Sequence, residues 1–445
     1  MRRRNNSARH EGRVFRSLTV PNYRRYFWGS FVSNIGVWMQ RTAQVWVVMQ
    51  LSGGNGVALG VVAFLQFAPT LVFGLYAGLV GDRFSRAKIL LVTQCAISAV
   101  SALMAVLDFA GLMSLPIMYV LAAVVGIVTA FDAPIRQTFV SDLVVDPEFI
   151  GNAVGLNSAA FNSARLIGPA VAGGIMAVTA TWTVFLLHVV ASLGIIVSLY
   201  SIGRSVPGGG RVPREKGQLR EGIRYVLSST DLVGLLLIAG VISALGLNGI
   251  QVFIPLASGE LFGRGALAFG MLTSAMAIGS VFGALVSNFR SGMPKRRTVF
   301  GGAAAAGICE CILGVMPTYE LFAAMLIPTG IALMYFVVAV NTRVQMSSAD
   351  WVRGRVMSLY MMVFFTGAAL GSTATGGLSE LLGVPLAVVT AGASMIACAL
   401  LVGAALLVRT GRRASDESDG VTGNSDSAIA TKVTSTVSLR AKSRV

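Results

Sequence analysis

Residues 57–88 read VALGVVAFLQFAPTLVFGLYAGLVGDRFSRAK. The stretch Val57 to Val80 carries no charge, and at 1.5 Å rise per residue a helix of that length crosses the hydrocarbon of a bilayer. The run stops at Asp82, Arg83, Arg86 and Lys88. It lacks the period-two alternation that marks a strand of a lipid-facing barrel. It reads as a membrane-spanning helix closed by a charged, basic turn.

The same grammar runs through the chain. Apolar stretches near 26–51, 57–80, 88–109, 115–137, 152–177, 182–203, 231–254, 267–288, 298–317, 320–342, 357–378 and 384–408 predict twelve spans, so the expected class is an all-α membrane protein. Composition agrees: 55% of the 445 residues are hydrophobic and only 12% are charged, about half of what a soluble protein carries. The net charge of +16 does not point to nucleic acid, because the bases sit in short clusters between apolar runs and form no continuous basic face. With the N-terminus in the cytoplasm, 32 of the 35 Lys and Arg fall on the cytoplasmic side, as the positive-inside rule requires. The exceptions are Arg41 and Arg165 within spans and Arg264 outside. An even number of spans with both chain ends cytoplasmic is therefore expected. The first run, with Asn34, Trp38, Gln40 and Arg41, is too polar for a cleaved signal and is read as a retained span.

Residues 204–230 interrupt the rhythm with SVPGGGRVPREKGQLREG and form the one long internal linker. Leu219, Ile223 and Val226 at helical spacing, opposite Arg220, Glu221 and Arg224, predict an amphipathic segment on the cytoplasmic face of the membrane. The expected organisation is a basic cytoplasmic N-terminus (1–25), a first six-helix bundle (26–203), the linker, a second bundle (231–408) and a disordered cytoplasmic tail (409–445). The two bundles are related. Gly151, Leu156, Phe161, Gly168, Gly173 and Gly174 match Gly354, Leu359, Phe364, Gly371, Gly376 and Gly377 in one register. Val72-Phe73-Gly74 likewise match Val281-Phe282-Gly283, with Arg86 and Lys88 against Lys295 and Arg297. Such repetition predicts pseudo-symmetric halves.

The turn GLVGDRFSRAK, Gly78 to Lys88, carries more than basic residues: glycine lets helices approach, and Asp82 can accept hydrogen bonds from a neighbouring helix end. It resembles the signature loop of the major facilitator superfamily, Gly-x-x-x-Asp-Arg-x-Gly-Arg, with Gly78, Asp82, Arg83 and Arg86 matching and Ser85 in place of a glycine. YRRYFWGSFVSNIGVWMQRTA from Tyr23, AFDAPIRQTFV from Ala130, LNSAAFNSARLIGPAVAGG from Leu156 and RGRVMSLY from Arg353 resemble its drug-efflux and enterobactin-exporter-like branch. The resemblance covers about residues 20–408. It implies two six-helix bundles around a central cavity, with Gly78, Asp82, Arg83 and Arg86 as a cytoplasmic gating loop. Gly168, Pro169 and Gly173 are similar to the family's antiporter motif, although Ala164 and Ala172 stand where glycine is usual. Span four ends on Asp132, Pro134, Arg136 and Gln137 and departs from the family's Arg-x-x-Gln-Gly pattern.

Charges within a span cost about 2.5–3.5 kcal/mol each, so they mark a cavity or a partner. Asn34, Trp38, Arg41 and Gln44 make a polar stripe on span one, read as cavity-lining, with Arg41 snorkelling to the outer interface as the alternative. Asn248 and Gln251 on span seven and Asn341 on span ten are further cavity candidates, or local caps. Asp132 and Arg165 are an expected charge pair, either coupling or bracing. Glu310 is a candidate proton carrier, with a structural or lipid-interface role preferred on its peripheral span. His188 reads as packing.

Nothing in the sequence predicts an enzyme: a GxxxxGK[ST] loop, a metal-ligand spacing and a nucleophile–base pair are all missing, and neither cofactor nor metal is expected. Cys95, Cys309, Cys311 and Cys398 lie in apolar runs and suggest neither disulfide nor metal. The expected function is export of a small amphiphilic molecule (a drug, antibiotic, siderophore or metabolite) from the cell by alternating access, driven by proton antiport. An importer on the same scaffold and a non-transporting membrane sensor are the alternatives. The expected partners are the small-molecule substrate, the proton and the lipid bilayer, and no nucleic acid.

Overall fold

The computed structural model describes residues 15–144, 146–202, 218–288, 292–349 and 351–406. Among these there is no strand. Twelve long helices follow one another: α1 Pro21–Ser52, α2 Gly56–Arg83, α3 Arg86–Phe109, α4 Leu115–Leu143, α5 Pro147–Val178 and α6 Trp182–Ile202. After a short linker helix, Gln218–Ser228, come α7 Thr230–Leu261, α8 Ala266–Asn288, α9 Arg296–Gly314, α10 Tyr319–Ser347, α11 Arg353–Leu382 and α12 Val384–Leu406. Ten of the described helices are long and apolar enough to cross a membrane. The other two long ones, α1 and α5, carry more polar residues.

Local chemistry sets the helix ends. Pro21 opens α1, where its missing N–H costs nothing, and Gly53 at φ +62° closes it. Asn55 accepts a hydrogen bond from the Ala58 N–H at 2.9 Å to start α2, and Asp146 caps α5 ahead of Pro147. Several helices outrun their apolar stretches. α1 begins at Pro21 and α11 at Arg353, because the backbone continues helical into the polar boundary once its hydrogen bonds are satisfied internally. The seventh helix is longer than its apolar run and is broken by two π-helical stretches, Ile242–Leu247 and Ala257–Leu261.

Helix pairings repeat between the halves. α1 packs on α5 as α7 packs on α11, α2 on α4 as α8 on α10, and α3 on α4 as α9 on α10. The halves meet where α2 lies along α11 and α5 along α8. Small residues bring these backbones together. A Cβ at Gly173 would stand 2.8 Å from the Ala266 carbonyl oxygen on α8, and one at Gly56 would stand 2.7 Å from the Gly376 oxygen on α11. Gly173 and Gly376 are one of the sequence-matched pairs, so the repeat places equivalent glycines at equivalent crossings.

One end of the molecule carries the turns around 53–55, 179–181, 262–265 and 315–318 and is poor in bases; the other carries the basic turns. Among the described residues, the glycine crossings between the halves lie at mid-height or toward the base-poor end. There the Gly56 N–H at the start of α2 donates to the Glu380 carboxylate of α11 at 2.5 Å. At the basic end the described ion pairs stay within a half: Arg86 with Asp142, and Arg296 and Arg343 with Asp231. The linker helix docks on the start of α11 through Glu221–Arg355 and through Tyr225, whose ring meets Trp351 edge-on at 5.9 Å. Val226 is buried there while Leu227 is exposed. The side chains of Leu219 and Arg220, and residues 1–14, 203–217 and 407–445, lie outside the described residues.

Candidate functional site

Between the halves lies a cavity, partly open to solvent. Its first wall comes from α1, α2 and α5, with Trp38, Arg41, Thr42, Gln66 and Arg165 prominent. The facing wall comes from α7 and α8, including Ile250, Gln251, Phe269, Thr273 and Met276. The α1 residues recur every three or four positions, so they form one helical stripe. At the base-poor side the stack of Trp46 on the cavity-lining Phe269, 5.8 Å between ring centroids, crosses from one half to the other.

Trp38 organises the polar wall. Phe161 meets its indole edge-on at 5.9 Å and fixes its plane. The guanidinium carbons of Arg41 and Arg165 lie 5.3 and 5.6 Å from the ring centroid. Cation–π contact stabilises both, but leaves their N–H groups available to a ligand. Among the described residues, no carboxylate lines the cavity.

Sequence reading located part of this site. Trp38, Arg41 and Gln251 line the cavity, and Arg41 does not snorkel to the interface. Gln44, Asn34, Asn248 and Asn341 do not line it. Gln44 is buried behind the wall and accepts a hydrogen bond from Gln66 at 3.0 Å. Asn34 donates to Ser30 at 3.4 Å, and Asn248 donates to the Ser243 carbonyl at 2.7 Å, satisfying backbone freed by the π-helical turn. Asn341 accepts from Gln345 one turn away at 2.8 Å.

The expected Asp132–Arg165 pair is replaced by a different one. Asp132 pairs with Arg136 at 2.8 Å, one turn along α4, and accepts hydrogen bonds from Thr93 and Gln94 of α3 at 2.7 and 3.0 Å. Arg136 also donates to Ser30 of α1 at 3.3 Å, so this buried network ties three helices in the half of the bundle nearer the basic end. An i,i+4 partner is always within reach, and Arg136 takes Asp132 before Arg165 can. Arg165 belongs to the cavity instead, with Pro169 a turn further on.

Glu310 is fully buried, which removes the lipid-interface alternative and leaves the structural and proton-carrier readings, and neither carboxylate oxygen has a hydrogen-bond partner among the described residues. The buried His188 packs against Gly36 and shares a 2.7 Å hydrogen bond with Ser101. Of the loop residues, Arg83 is exposed and Arg86 braces α3 to α4 through Asp142. Gly78 and Asp82 belong to α2, but their side-chain surroundings lie outside what is described. Gly168 packs against α1, where a Cβ would stand 3.1 Å from the Ile35 oxygen.

Sequence reading missed Gln66, Thr42, Phe269 and Thr273. Gln66 had a visible signal as the one amide in an otherwise apolar run. Thr42, Phe269 and Thr273 had none, because α-helices shared between core and cavity use such residues for both.

Residues 14–435 match the family described as transmembrane secretion effector. The chain belongs to that family, within the major facilitator superfamily. Its relatives include the staphyloferrin A transporter of Staphylococcus aureus, 25% identical over 76% of this chain and 84% of that protein. They also include the enterobactin exporter of Escherichia coli, 24% identical over 88% and 92%, and macrolide efflux protein A of Streptococcus pyogenes, 24% identical over 60% and 67%. Among solved structures, a peptide-bound transporter of the POT family superposes with a TM-score of 0.71 at 12% identity, covering 88% of this chain and 96% of that one. An inward-facing bacterial homologue of the lysosomal transporter Spinster gives 0.60 at 18% identity, covering 86% and 96%. The fold and family are thus those of multi-pass membrane transporters, not enzymes.

Proposed function

We propose that this chain is a secondary exporter in the cell membrane, moving a small amphiphilic molecule outward by alternating access and drawing on the proton gradient. The carrying observation is the cavity itself: two similarly packed sets of helices enclose it, and the Trp46–Phe269 stack bridges them at its base-poor side. All twelve long helices span the bilayer in this reading, six in each half about the 204–230 linker, with both chain ends cytoplasmic. The segregated bases support that orientation, since moving them through lipid is costly. The base-poor end then faces outward, and the Trp46–Phe269 stack and the Glu380 contact stand on that side.

Transport follows from rocking the halves about the cavity. The α2–α11 and α5–α8 glycine crossings are hinges of small residues, and Glu380 on the α2 N-terminus latches the outer end. Gly78, Asp82, Arg83 and Arg86 would latch the inner end in the opposite state. The sequence has no nucleotide-binding loop, which leaves an ion gradient as the source of energy, and Asp132 and Glu310 are the candidate proton carriers. Names such as enterobactin exporter and macrolide efflux protein among its relatives favour the outward direction.

Accumulation of a compound panel in cells with and without the gene tests this reading, with and without a protonophore. Export predicts lower accumulation with the gene, lost when the protonophore is added. Higher accumulation with the gene would make the protein an importer. No gene-dependent difference for any compound would favour a membrane sensor.

A further inference from the structure

The repeat that relates the halves also relates the two cavity walls, and the walls differ in charge. Ile35 and Ala244 are 209 positions apart, and each receives an equivalent glycine, Gly168 and Gly371, against its carbonyl oxygen. In that register Trp38, Arg41 and Val45 of α1 correspond to Leu247, Ile250 and Ile254 of α7, and all six line the cavity. Arg165 of α5 corresponds to Ala368 of α11 in the glycine register. Similar backbones thus carry two arginines and an indole on one side and aliphatic side chains on the other.

The two arginines differ from the other bases held within the helix packing. Arg136 has Asp132, and Arg296 and Arg343 share Asp231. Arg41 and Arg165 have no ion pair and no hydrogen bond among the described residues, and both contact the same indole. A base that merely braces helices is held by a carboxylate or by carbonyls. Two that converge on a cavity with neither leave positive potential and a set of planar N–H donors suited to an oxyanion. A cationic ligand would meet repulsion there.

We propose that the cavity binds an anionic amphiphile, its acidic group held between Arg41 and Arg165, an aromatic portion against Trp38, and its apolar body on the α7–α8 wall. This rests on the cavity being the transport site. Because the acid sits on one half and the apolar body on the other, the ligand bridges the two surfaces that must move relative to each other.

The test uses the full-length protein in lipid nanodiscs and three probes sharing one aromatic body: naphthalene-2-carboxylate, 2-naphthamide and 2-naphthylmethylamine. Binding is read from tryptophan fluorescence and by calorimetry. The carboxylate is expected to bind about tenfold more tightly than the amide, a size typical of a charge-assisted pair, and the amine more weakly than both. Arg41→Gln and Arg165→Gln should each remove most of that preference, while Arg41→Lys keeps part of it. Equal affinities, an amine preference, no charge-dependent binding, or a carboxylate preference that survives Arg41→Gln/Arg165→Gln would overturn the proposal. Transport of the same probes in cells separates the two readings. Gene-dependent efflux without anion preference removes this inference alone, whereas anion binding with no movement of any probe removes the export reading and leaves the binding site standing.

Discussion

Asp132 and Glu310 are both buried carboxyls, and their surroundings predict opposite responses to removal. Asp132 is tied to Arg136, Thr93 and Gln94, so Asp132→Ala leaves a guanidinium buried without its partner, at a cost of about 3–5 kcal/mol. Glu310 has no partner among the described residues, so Glu310→Leu removes an unsatisfied polar group and should stabilise the fold by about 1–3 kcal/mol. Thermal melts in one detergent check the pair: Asp132→Ala is expected to lower Tm by many degrees and Glu310→Leu to raise it. A lower Tm for Glu310→Leu would mean that the carboxyl is held by something the packing does not reveal. The melt and the flux of Glu310→Leu together separate a proton carrier, which loses transport while gaining stability, from a structural residue, which loses stability, and from a residue with neither role, which keeps transport.

Among the elements, α2 and α11 hold the outer end shut through close backbone approach and through Glu380. The carboxylate accepts from the Gly56 N–H, one of the donors that a helix start leaves unused, and it sits at the positive end of the α2 dipole. Glu380→Ala should therefore shift the balance toward the outward-open state by about two- to fivefold, the size of one such exposed interaction. A cysteine at Thr273, which lines the cavity, reports on this in a background lacking Cys95, Cys309, Cys311 and Cys398. Its labelling by a membrane-impermeant maleimide from outside should quicken with Glu380→Ala. Unchanged labelling would mean that the latch contributes nothing. The linker helix makes a related point: its amphipathic pattern was readable, but Tyr225 packs on Trp351 at the start of α11 and Val226 is buried.

At the scale of the whole molecule, helical class and family were legible because lipid imposes them residue by residue: uncharged runs such as Val57–Val80, and bases sorted to one end. The repeat was legible because helix crossings such as Gly173 and Gly376 admit nothing larger than hydrogen. The cavity was only half legible. Trp38 and Arg41 declare themselves by their cost in lipid, but Asn34 and Asn248 carry the same polarity and use it on neighbouring backbone and side chains. No spacing rule tells a residue facing the cavity from one facing a helix partner. Arg165 was visible as a costly charge, but its partner depends on which helix lies opposite, and Arg136 was the nearer base to Asp132. The central claim is that two halves rock about this cavity so that opening at one end accompanies closure at the other. Distances between spin labels test it most directly, with one pair at the exposed positions Leu51 and Leu261 at the base-poor end and another at Arg83 and Ser358 at the basic end. On imposing a proton gradient or adding a transported compound, the account predicts that one distance lengthens as the other shortens. If both pairs move in the same direction, or neither moves while transport proceeds, the account is contradicted.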